Sequence, residues 1–154
     1  MNKPATFILR SPRLSDLDAL LDIEQRAFTT DLLSPRQMRY WIQANHRTFL
    51  VCEDKHSHTI AGYLLVFYRR NSRHARLYSI VVDKTFRGYG LARQLLSRGE
   101  RAARKQGCSS MRLEVRPRNK PAIKLYEAFG YQRFGLHKAL YEDGSDALRM
   151  EKVL

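Results

Sequence analysis

Short apolar runs recur along the chain at intervals that predict a series of β-strands. The runs at 60–68 and 77–82 are nearly continuous, and the second is typical of a buried strand. Polar turns around 56–58 and 71–73 separate neighbouring runs. The predicted strands cover residues 6–10, 48–52, 60–68, 77–82, 111–115, 131–134 and 147–153.

Four further segments have the residue spacing of amphipathic helices. Ser15 to Asp18 has the composition of a helix start, and Ser34-Pro35 places an N-cap before a proline at the first helical position. A long helix is predicted over 88–106, with Gly107 just past its end, and a last helix over 121–129. This order of elements predicts an α/β fold with a mixed, largely antiparallel sheet.

The length and composition indicate one folded domain spanning residues 1–154. Hydrophobic residues make up 44% and aromatic residues 10% of the chain, which favours a globular protein over a disordered one. The amino-terminal region has no apolar run of the length that a signal peptide or membrane span needs. We therefore expect a soluble, cytoplasmic protein without a membrane partner. Cys52 and Cys108 show no metal-ligand spacing with the five histidines, which predicts two reduced thiols and no metal site.

The net charge of +13 is concentrated in one part of the chain. Residues 61–140 carry 18 Lys/Arg and 4 Asp/Glu, whereas residues 1–60 carry 8 and 7. A surplus of this size indicates a polyanionic partner, and RNA or a ribosomal particle fits that description best. The alternative is a solvated basic face without a partner.

A glycine-containing turn joins the predicted strand at 77–82 to the long helix. Its sequence is Arg87-Gly88-Tyr89-Gly90-Leu91-Ala92. Glycine lets the backbone approach a ligand closely, and the first-turn N–H groups of a helix attract anions. The spacing matches neither a P-loop nor a dinucleotide fingerprint, because Arg93 stands where the fingerprint needs its third glycine. The turn therefore predicts a site for another phosphorylated ligand, with an ordinary connection that binds nothing as the alternative.

The arrangement of Arg87, Gly90 and Ala92 resembles the pyrophosphate-binding motif of the GNAT superfamily of acetyl-CoA-dependent N-acetyltransferases. Residues 113–131 resemble the second half of that acetyl-CoA site, since Leu-Glu-Val-Arg is followed in order by Asn, Ala, Leu-Tyr-Glu and a Gly-aromatic pair. This run looks most like the ribosomal-protein-alanine N-acetyltransferases, and the likeness covers residues 75–154. It implies acetyl-CoA as cosubstrate, the GNAT fold with a splayed central pair of parallel strands, and a protein amino terminus as substrate.

The resemblance also implies which residues contact the cosubstrate. The strand residues 80–82 lie where family members use backbone groups to bind pantetheine and polarise the thioester carbonyl. Asn119 lies where the family contacts the pantetheine arm, and it is also a typical N-cap for the last helix. The implied set is Ile80, Val81, Val82, Arg87, Gly88, Tyr89, Gly90, Leu91, Ala92, Asn119, Ala122 and Tyr126.

Glu114 and Tyr126 match the family's acid–base pair. Glu114 is the implied base, which accepts the proton of the attacking amine directly or through one water. Alternation along its strand places it on one face with Arg112 and Arg116, so a surface ion pair is the alternative. Tyr126 is the implied acid, because a phenol with a pKa of about 10 is still protonated when a thiolate of pKa about 8.5 departs. Its alternative is a tyrosine that only fills the core.

The acceptor is less defined than the reaction. Tyr141 matches a tyrosine of the family's substrate loop, with an edge-strand tyrosine as the alternative. In the same fold, a lysine side chain, a small amine or an aminoacyl-tRNA could replace the protein α-amine. A nucleic-acid-binding module that lost catalysis is a different class, although the presence of both Glu114 and Tyr126 favours an enzyme.

Overall fold

The computed structural model describes residues 6–154 as a seven-stranded sheet with helices on both faces. The strands are β1 Phe7–Arg10, β2 Arg47–Asp54, β3 Ile60–Phe67, β4 His74–Val82, β5 Ser110–Val115, β6 Gln132–His137 and β7 Ala147–Val153. The helices are α1 Leu17–Ala27, α2 Pro35–Gln43, α3 Leu91–Lys105 and α4 Lys120–Ala128, with 3-10 turns at Leu14–Asp16 and Lys84–Phe86. The strand order is β1-β2-β3-β4-β5-β7-β6, and only the β4–β5 pair is parallel.

The predicted α/β fold with a mixed, mostly antiparallel sheet is confirmed. The residue predicted for the start of the long helix is wrong. Helix α3 begins at Leu91 rather than at residue 88. The reason is that Gly88 and Gly90 have φ angles of 91° and 72°, which no residue of a right-handed helix adopts. The three residues before Leu91 therefore form a turn, and this turn carries the predicted anion site.

Helix α2 begins as predicted, whereas strand β6 is longer than predicted. The Ser34 hydroxyl accepts a hydrogen bond from the Gln37 backbone N–H at 3.1 Å, and the Gln37 side chain accepts one from the Ser34 backbone N–H at 2.9 Å. This reciprocal arrangement is a capping box. Strand β6 continues past residue 134 to His137, because β7 pairs with it as far as the partners His137 and Ala147.

The sheet buries apolar side chains on both faces, and β3, which lies between β2 and β4, is buried along nearly its whole length. Successive side chains point to opposite faces. Tyr63 and Leu65 pack with the core formed by α1 and α2, whereas Leu64 and Val66 pack with the core of α3 and α4. Two-sided burial explains why this segment is a continuous apolar run in the sequence.

The parallel strands β4 and β5 separate before either of them ends. Their pairing stops at Leu77 opposite Leu113. Strand β4 nevertheless continues to pair with β3 as far as Val82, and β5 continues to pair with β7 as far as Val115. The carboxyl-terminal parts of the two strands therefore diverge, which confirms the predicted splay. The resulting opening positions the candidate site.

Candidate active site

The β4 side of the opening is formed by the residues that the resemblance assigned to pantetheine. The side chains of Ile80 and Val82 pack against the α3/α4 core, and Val81 packs into the α1/α2 core. All three pair with β3 on the other side of β4, and pairing with β5 has already ended at Leu77. The side chains are thus occupied by packing, and any contact with a ligand in the opening would use the backbone.

The turn after β4 presents the amino terminus of α3 without a covering side chain. Gly90 occupies the N-cap position of this helix. Apart from the residues adjacent to each glycine in the chain, no atom of the described residues lies within 4 Å of the position that a β-carbon would take at Gly88 or Gly90. Leu91 is buried in the core at 2% exposure, so it can contribute only its backbone. Free first-turn N–H groups and the positive end of a 15-residue helix suit a pyrophosphate group.

The other predicted residues of the turn differ in exposure. Arg87 is exposed and lies directly before the two glycines, where its guanidinium is accessible to an anion. Tyr89 is 51% exposed and packs edge to face on Phe7, with ring centroids 5.3 Å apart. Ala92 lies in the first turn of α3 and is partly buried. All the predicted residues of this segment lie at one end of α3.

Asn119 and Ala122 lie at the amino terminus of α4. The Asn119 side-chain oxygen accepts a hydrogen bond from the Ala122 backbone N–H at 3.3 Å, so the predicted N-cap is present. The side-chain amide nitrogen of Asn119 has no hydrogen-bond acceptor within residues 6–154. One side chain can therefore cap the helix and still donate a hydrogen bond to a ligand.

Tyr126 is a buried tyrosine of α4 with an unused hydroxyl. Its side chain is 7% exposed, and its ring packs edge to face on Tyr131 with centroids 5.7 Å apart. The Tyr131 hydroxyl donates a hydrogen bond to Glu100 at 2.8 Å, whereas the Tyr126 hydroxyl makes none within residues 6–154. Burial raises the pKa of Tyr126 above its usual value, and the nearby Tyr141 adds to the rise. The phenol is therefore held in its protonated form.

Glu114 lies near the end of β5, beside the opening. Its side chain is 12% exposed and accepts a hydrogen bond from Arg76 of β4 over 3.1 Å. The alternation with Arg112 and Arg116 is as predicted, since all three are partly buried and the residues between them, Leu113 and Val115, are buried. The ion pair, however, is made with the neighbouring strand and not with either of these two arginines. Arg112 pairs instead with Glu151 of β7.

Arg116 connects two loops that sequence reasoning did not bring together. Its guanidinium donates to the Thr30 hydroxyl at 2.8 Å and to the Asp31 carboxylate at 3.4 Å, both in the α1–α2 loop. It also donates to Asp143 at 3.0 Å and to Ser145 at 3.1 Å, both in the β6–β7 loop. These partners are 27 to 86 residues away in sequence, so no local pattern could reveal them.

Tyr141 lies in the same β6–β7 loop and is half-buried beneath this guanidinium. The Arg116 guanidinium carbon is 4.0 Å from the centroid of the Tyr141 ring, a cation–π contact. Burial raises the pKa of Tyr141, Arg116 lowers it, and the carboxylates of Glu114 and Asp31 raise it further. Tyr141 therefore lies against Arg116 in the loop that meets the α1–α2 loop.

The part of the chain that the structure describes contains no candidate set of metal ligands. No group of three or more His, Cys, Asp or Glu side chains in residues 6–154 is arranged so that it could hold a metal ion. Cys52 is buried, Cys108 is partly buried, and both are free thiols. Over the same residues, no helix has the length and apolar character needed to cross a membrane.

The family model for the GNAT acetyltransferase family matches residues 17–131 of this chain. The chain therefore belongs to the GNAT family, and it is an acetyl-CoA:amine N-acetyltransferase. Because the family match spans α1 to the end of α4, it includes the splayed strands, the glycine turn and Tyr126.

Individual relatives share this fold and sequence over nearly their whole length. A protein of Bacillus subtilis (strain 168), provisionally named ribosomal protein bS18-alanine N-acetyltransferase, is 31% identical over 143 residues, which are 92% of each chain. An N-alpha-acetyltransferase of Saccharolobus solfataricus is 26% identical over 170 residues, covering 99% of this chain and 96% of its own. The crystal structure of the ribosomal-protein-S18-alanine N-acetyltransferase from Escherichia coli superposes with a TM-score of 0.80 at 27% identity, covering 96% of this chain and 94% of that one.

Proposed function

We propose that this chain, acting as one domain, transfers acetyl from acetyl-CoA to the α-amine of a protein amino terminus, most specifically that of a ribosomal protein. Glu114 serves as the base and Tyr126 as the acid. One observation carries the proposal: beside the opening between β4 and β5, Glu114 is held by Arg76 of β4 at 3.1 Å, and Tyr126 of α4 is buried with a hydroxyl that makes no hydrogen bond in residues 6–154. The relatives named for the acetylation of ribosomal-protein and protein α-amines support the choice of acceptor.

The turn and the two strands supply the binding part of the proposed site. Acetyl-CoA, when bound, supplies an activated acetyl thioester and a leaving thiol. The glycine turn from Arg87 to Ala92 would hold its pyrophosphate through backbone N–H groups and the helix dipole. Asn119 and Ala122 at the start of α4 would contact the pantetheine arm. The backbone of Ile80 to Val82 would hydrogen-bond that arm and polarise the thioester carbonyl.

The proton transfers follow from the two candidate residues. A peptide α-amine has a pKa of about 8, so most of it is protonated near neutral pH. Glu114 accepts this proton directly or through one water, and Arg76 holds the carboxylate in place from the neighbouring strand. Tyr126 donates its hydroxyl proton to the departing sulfur. Its raised pKa and its free hydroxyl both suit a donor that must stay protonated until that moment.

The acceptor would approach between the two loops that Arg116 joins. The α1–α2 loop and the β6–β7 loop meet over the end of β5, where Glu142 of the second loop donates its backbone N–H to Asp31 of the first at 3.2 Å. Tyr141 lies in this region and is proposed to contact the substrate. Basic ribosomal-protein termini would meet a positively charged chain, so we include RNA or ribosome contact in the proposal, in the cytoplasmic setting that the sequence predicts.

Two peptides test the proposed acceptor. The first has a free alanine amino terminus and no lysine, and the second has a blocked amino terminus and one lysine. Mass spectrometry after incubation with acetyl-CoA is expected to show one added acetyl group on the first peptide alone. Product on the second peptide alone would assign the enzyme to lysine side chains. Product on neither peptide, with acetyl-CoA still bound, would point to a small amine or an aminoacyl-tRNA.

A further inference from the structure

Helix α3 carries only positive charge on its solvent face. Its exposed charged residues are Arg93, Arg98, Arg101, Arg104 and Lys105. The one carboxylate of this helix, Glu100, is buried, and Tyr131 and Lys152 donate hydrogen bonds to it at 2.8 Å. None of the five cations makes an ion pair with this carboxylate, whose ion-pair partner in residues 6–154 is Lys152.

The β3–β4 turn extends this positive face at the carboxyl end of α3. Arg69, Arg70 and Arg73 of the turn are exposed. The turn lies against the segment that follows α3, because the Ser109 backbone N–H donates to the Arg73 carbonyl at 2.8 Å. This is the end of the sheet where β4 and β5 begin, opposite to their splayed carboxyl ends. Arg93 lies at the other end of α3, near the glycine turn, and does not belong to this surface.

We define the α3 surface as the seven side chains Arg69, Arg70, Arg73, Arg98, Arg101, Arg104 and Lys105. None of the seven makes an ion pair with a carboxylate of residues 6–154. Two of them, Arg104 and Lys105, stabilise the helix itself, because cations in the last turn of a helix interact favourably with its dipole. The others gain nothing of that kind, and like charges one helical turn apart destabilise a helix.

The chemistry of the α3 surface fits phosphate groups spaced along a chain. Six of the seven residues are arginines, and the guanidinium group binds phosphate through paired hydrogen bonds. No large hydrophobic side chain is exposed in residues 69–73 or 93–107. Membrane-inserting helices and the centres of protein interfaces both use exposed apolar side chains. A nucleic acid backbone needs charge alone.

We propose that the α3 surface binds the phosphate backbone of RNA without reading its sequence. The choice of RNA over DNA rests on the proposed ribosomal-protein substrate, whereas the backbone contact rests on the charge arrangement itself. Because the surface lies away from the opening between β4 and β5, a bound RNA would leave the acceptor site accessible. It would hold the enzyme beside its substrate by non-specific attraction.

Charge reversal on the full chain tests this surface. We would measure the fluorescence anisotropy of a labelled RNA duplex over a salt series with wild type and with Arg101→Glu/Arg104→Glu. The matched control is Arg36→Glu/Arg39→Glu, which makes the same charge change on exposed positions of α2. Loss of two phosphate contacts is expected to weaken binding by about tenfold or more and to make the log–log salt slope shallower by about 2. The affinity of the control variant for RNA should stay within about twofold of the wild-type affinity.

A second variant, Arg69→Glu/Arg70→Glu in the turn, keeps the test valid if the helix variant does not fold. Equal losses in the surface and control variants would overturn the proposal, because net charge would then explain binding. Absence of RNA binding by wild type, tighter binding of a matched DNA duplex, or a preference for anionic vesicles over RNA would also overturn it. Peptide acetylation measured on the same samples separates the two proposals. RNA binding without transfer contradicts the proposed acetyl transfer. Transfer without RNA binding contradicts the α3 surface and the RNA contact, and leaves the proposed acetyl transfer intact.

Discussion

The guanidinium carbon of Arg116 lies 4.0 Å from the centroid of the Tyr141 ring. The same guanidinium donates hydrogen bonds to Asp31 and Asp143, so it fixes the α1–α2 loop and the β6–β7 loop to the end of β5. Arg116 comes two residues after Glu114. The positions of the two loops between which the acceptor would approach therefore depend on Arg116, which lies close to the proposed base.

Replacing Arg116 by lysine is expected to loosen both loops without disturbing cosubstrate binding. A lysine keeps the charge but lacks the planar fork, so it cannot hold both loops and stack on Tyr141 together. Loss of a charged hydrogen bond on this half-exposed side chain, worth about 1.4 kcal/mol or tenfold, should raise the peptide KM about tenfold. Steady-state kinetics and acetyl-CoA calorimetry check this. Arg39→Lys, an exposed change on α2, is the control, and an unchanged peptide KM in Arg116→Lys would contradict the prediction.

Tyr126→Phe and Tyr131→Phe remove the same group from two neighbouring tyrosines. The first change is expected to lower kcat, and the second is expected to lower stability. Tyr126→Phe removes a hydroxyl without hydrogen bonds in residues 6–154, so the melting temperature should stay near that of wild type. Its kcat should fall about a hundredfold or more, as expected on loss of a general acid. Tyr131→Phe removes a donor from buried Glu100 and should lower the free energy of unfolding by about 1–3 kcal/mol. Wild-type kcat in Tyr126→Phe would exclude it as the acid.

The pH profile of wild type follows from the same tyrosine. Burial disfavours the charged phenolate and raises the pKa of Tyr126 above 10.0. The acid therefore stays protonated while the acceptor amine, with a pKa of about 8, loses its proton. We expect kcat/KM to rise through about pH 8 and to stay level to about pH 10. A descending limb centred below that pH would show that another group supplies the proton.

Glu114→Gln should impair catalysis most at low pH. Glutamine has nearly the same size and can still accept a hydrogen bond from Arg76, but it cannot take a proton from the amine. The need for a base is greatest where the amine is most protonated, so the ratio of variant to wild-type rate should fall as the pH falls. Glu127→Gln is the control, because it also removes a carboxylate paired with an arginine, here Arg133 at 3.4 Å. A ratio that does not change with pH would remove Glu114 from the mechanism.

Gly90→Val and Gly107→Val separate backbone strain from a blocked site. Both glycines have positive φ, 72° and 86°, and, apart from the adjacent residues of the chain, neither has an atom of residues 6–154 within 4 Å of the position that a β-carbon would take. Each variant should therefore lose similar stability, because valine is strained at positive φ. Only Gly90→Val places a side chain at the amino terminus of α3, so only this variant should lose acetyl-CoA binding in calorimetry. Equal binding in the two variants would move the pyrophosphate site elsewhere.

The sequence predicts the elements of this fold well, because their signals are local. Strand β7 begins and ends at the predicted residues, and the Ser34 cap has the predicted hydrogen bonds. The start of α3 could not be placed by apolar spacing, since the positive φ angles of Gly88 and Gly90 interrupt the helix. A glycine at each end of that spacing was the available signal.

The sequence predicts which residues belong to the candidate site, but it does not predict which partners their side chains contact. Parity along β5 placed Glu114 between two arginines, yet its partner Arg76 comes from β4, because parallel pairing at Leu77–Leu113 brings the two strands side by side. The contacts of Arg116 with Thr30 and Asp31 join segments 86 and 85 residues apart. Such pairs depend on the folded sheet, and spacing within one segment carries no information about them.

The most direct test of the proposed mechanism compares wild type with Glu114→Gln/Tyr126→Phe. Acetyl transfer to a peptide with a free alanine amino terminus would be followed by mass spectrometry, and acetyl-CoA affinity would be measured on the same samples by calorimetry. We expect wild type to acetylate the α-amine, and the double variant to bind acetyl-CoA normally but react at least about a hundredfold more slowly. Transfer by the double variant at the wild-type rate, or acetylation of lysine alone by wild type, would contradict the account.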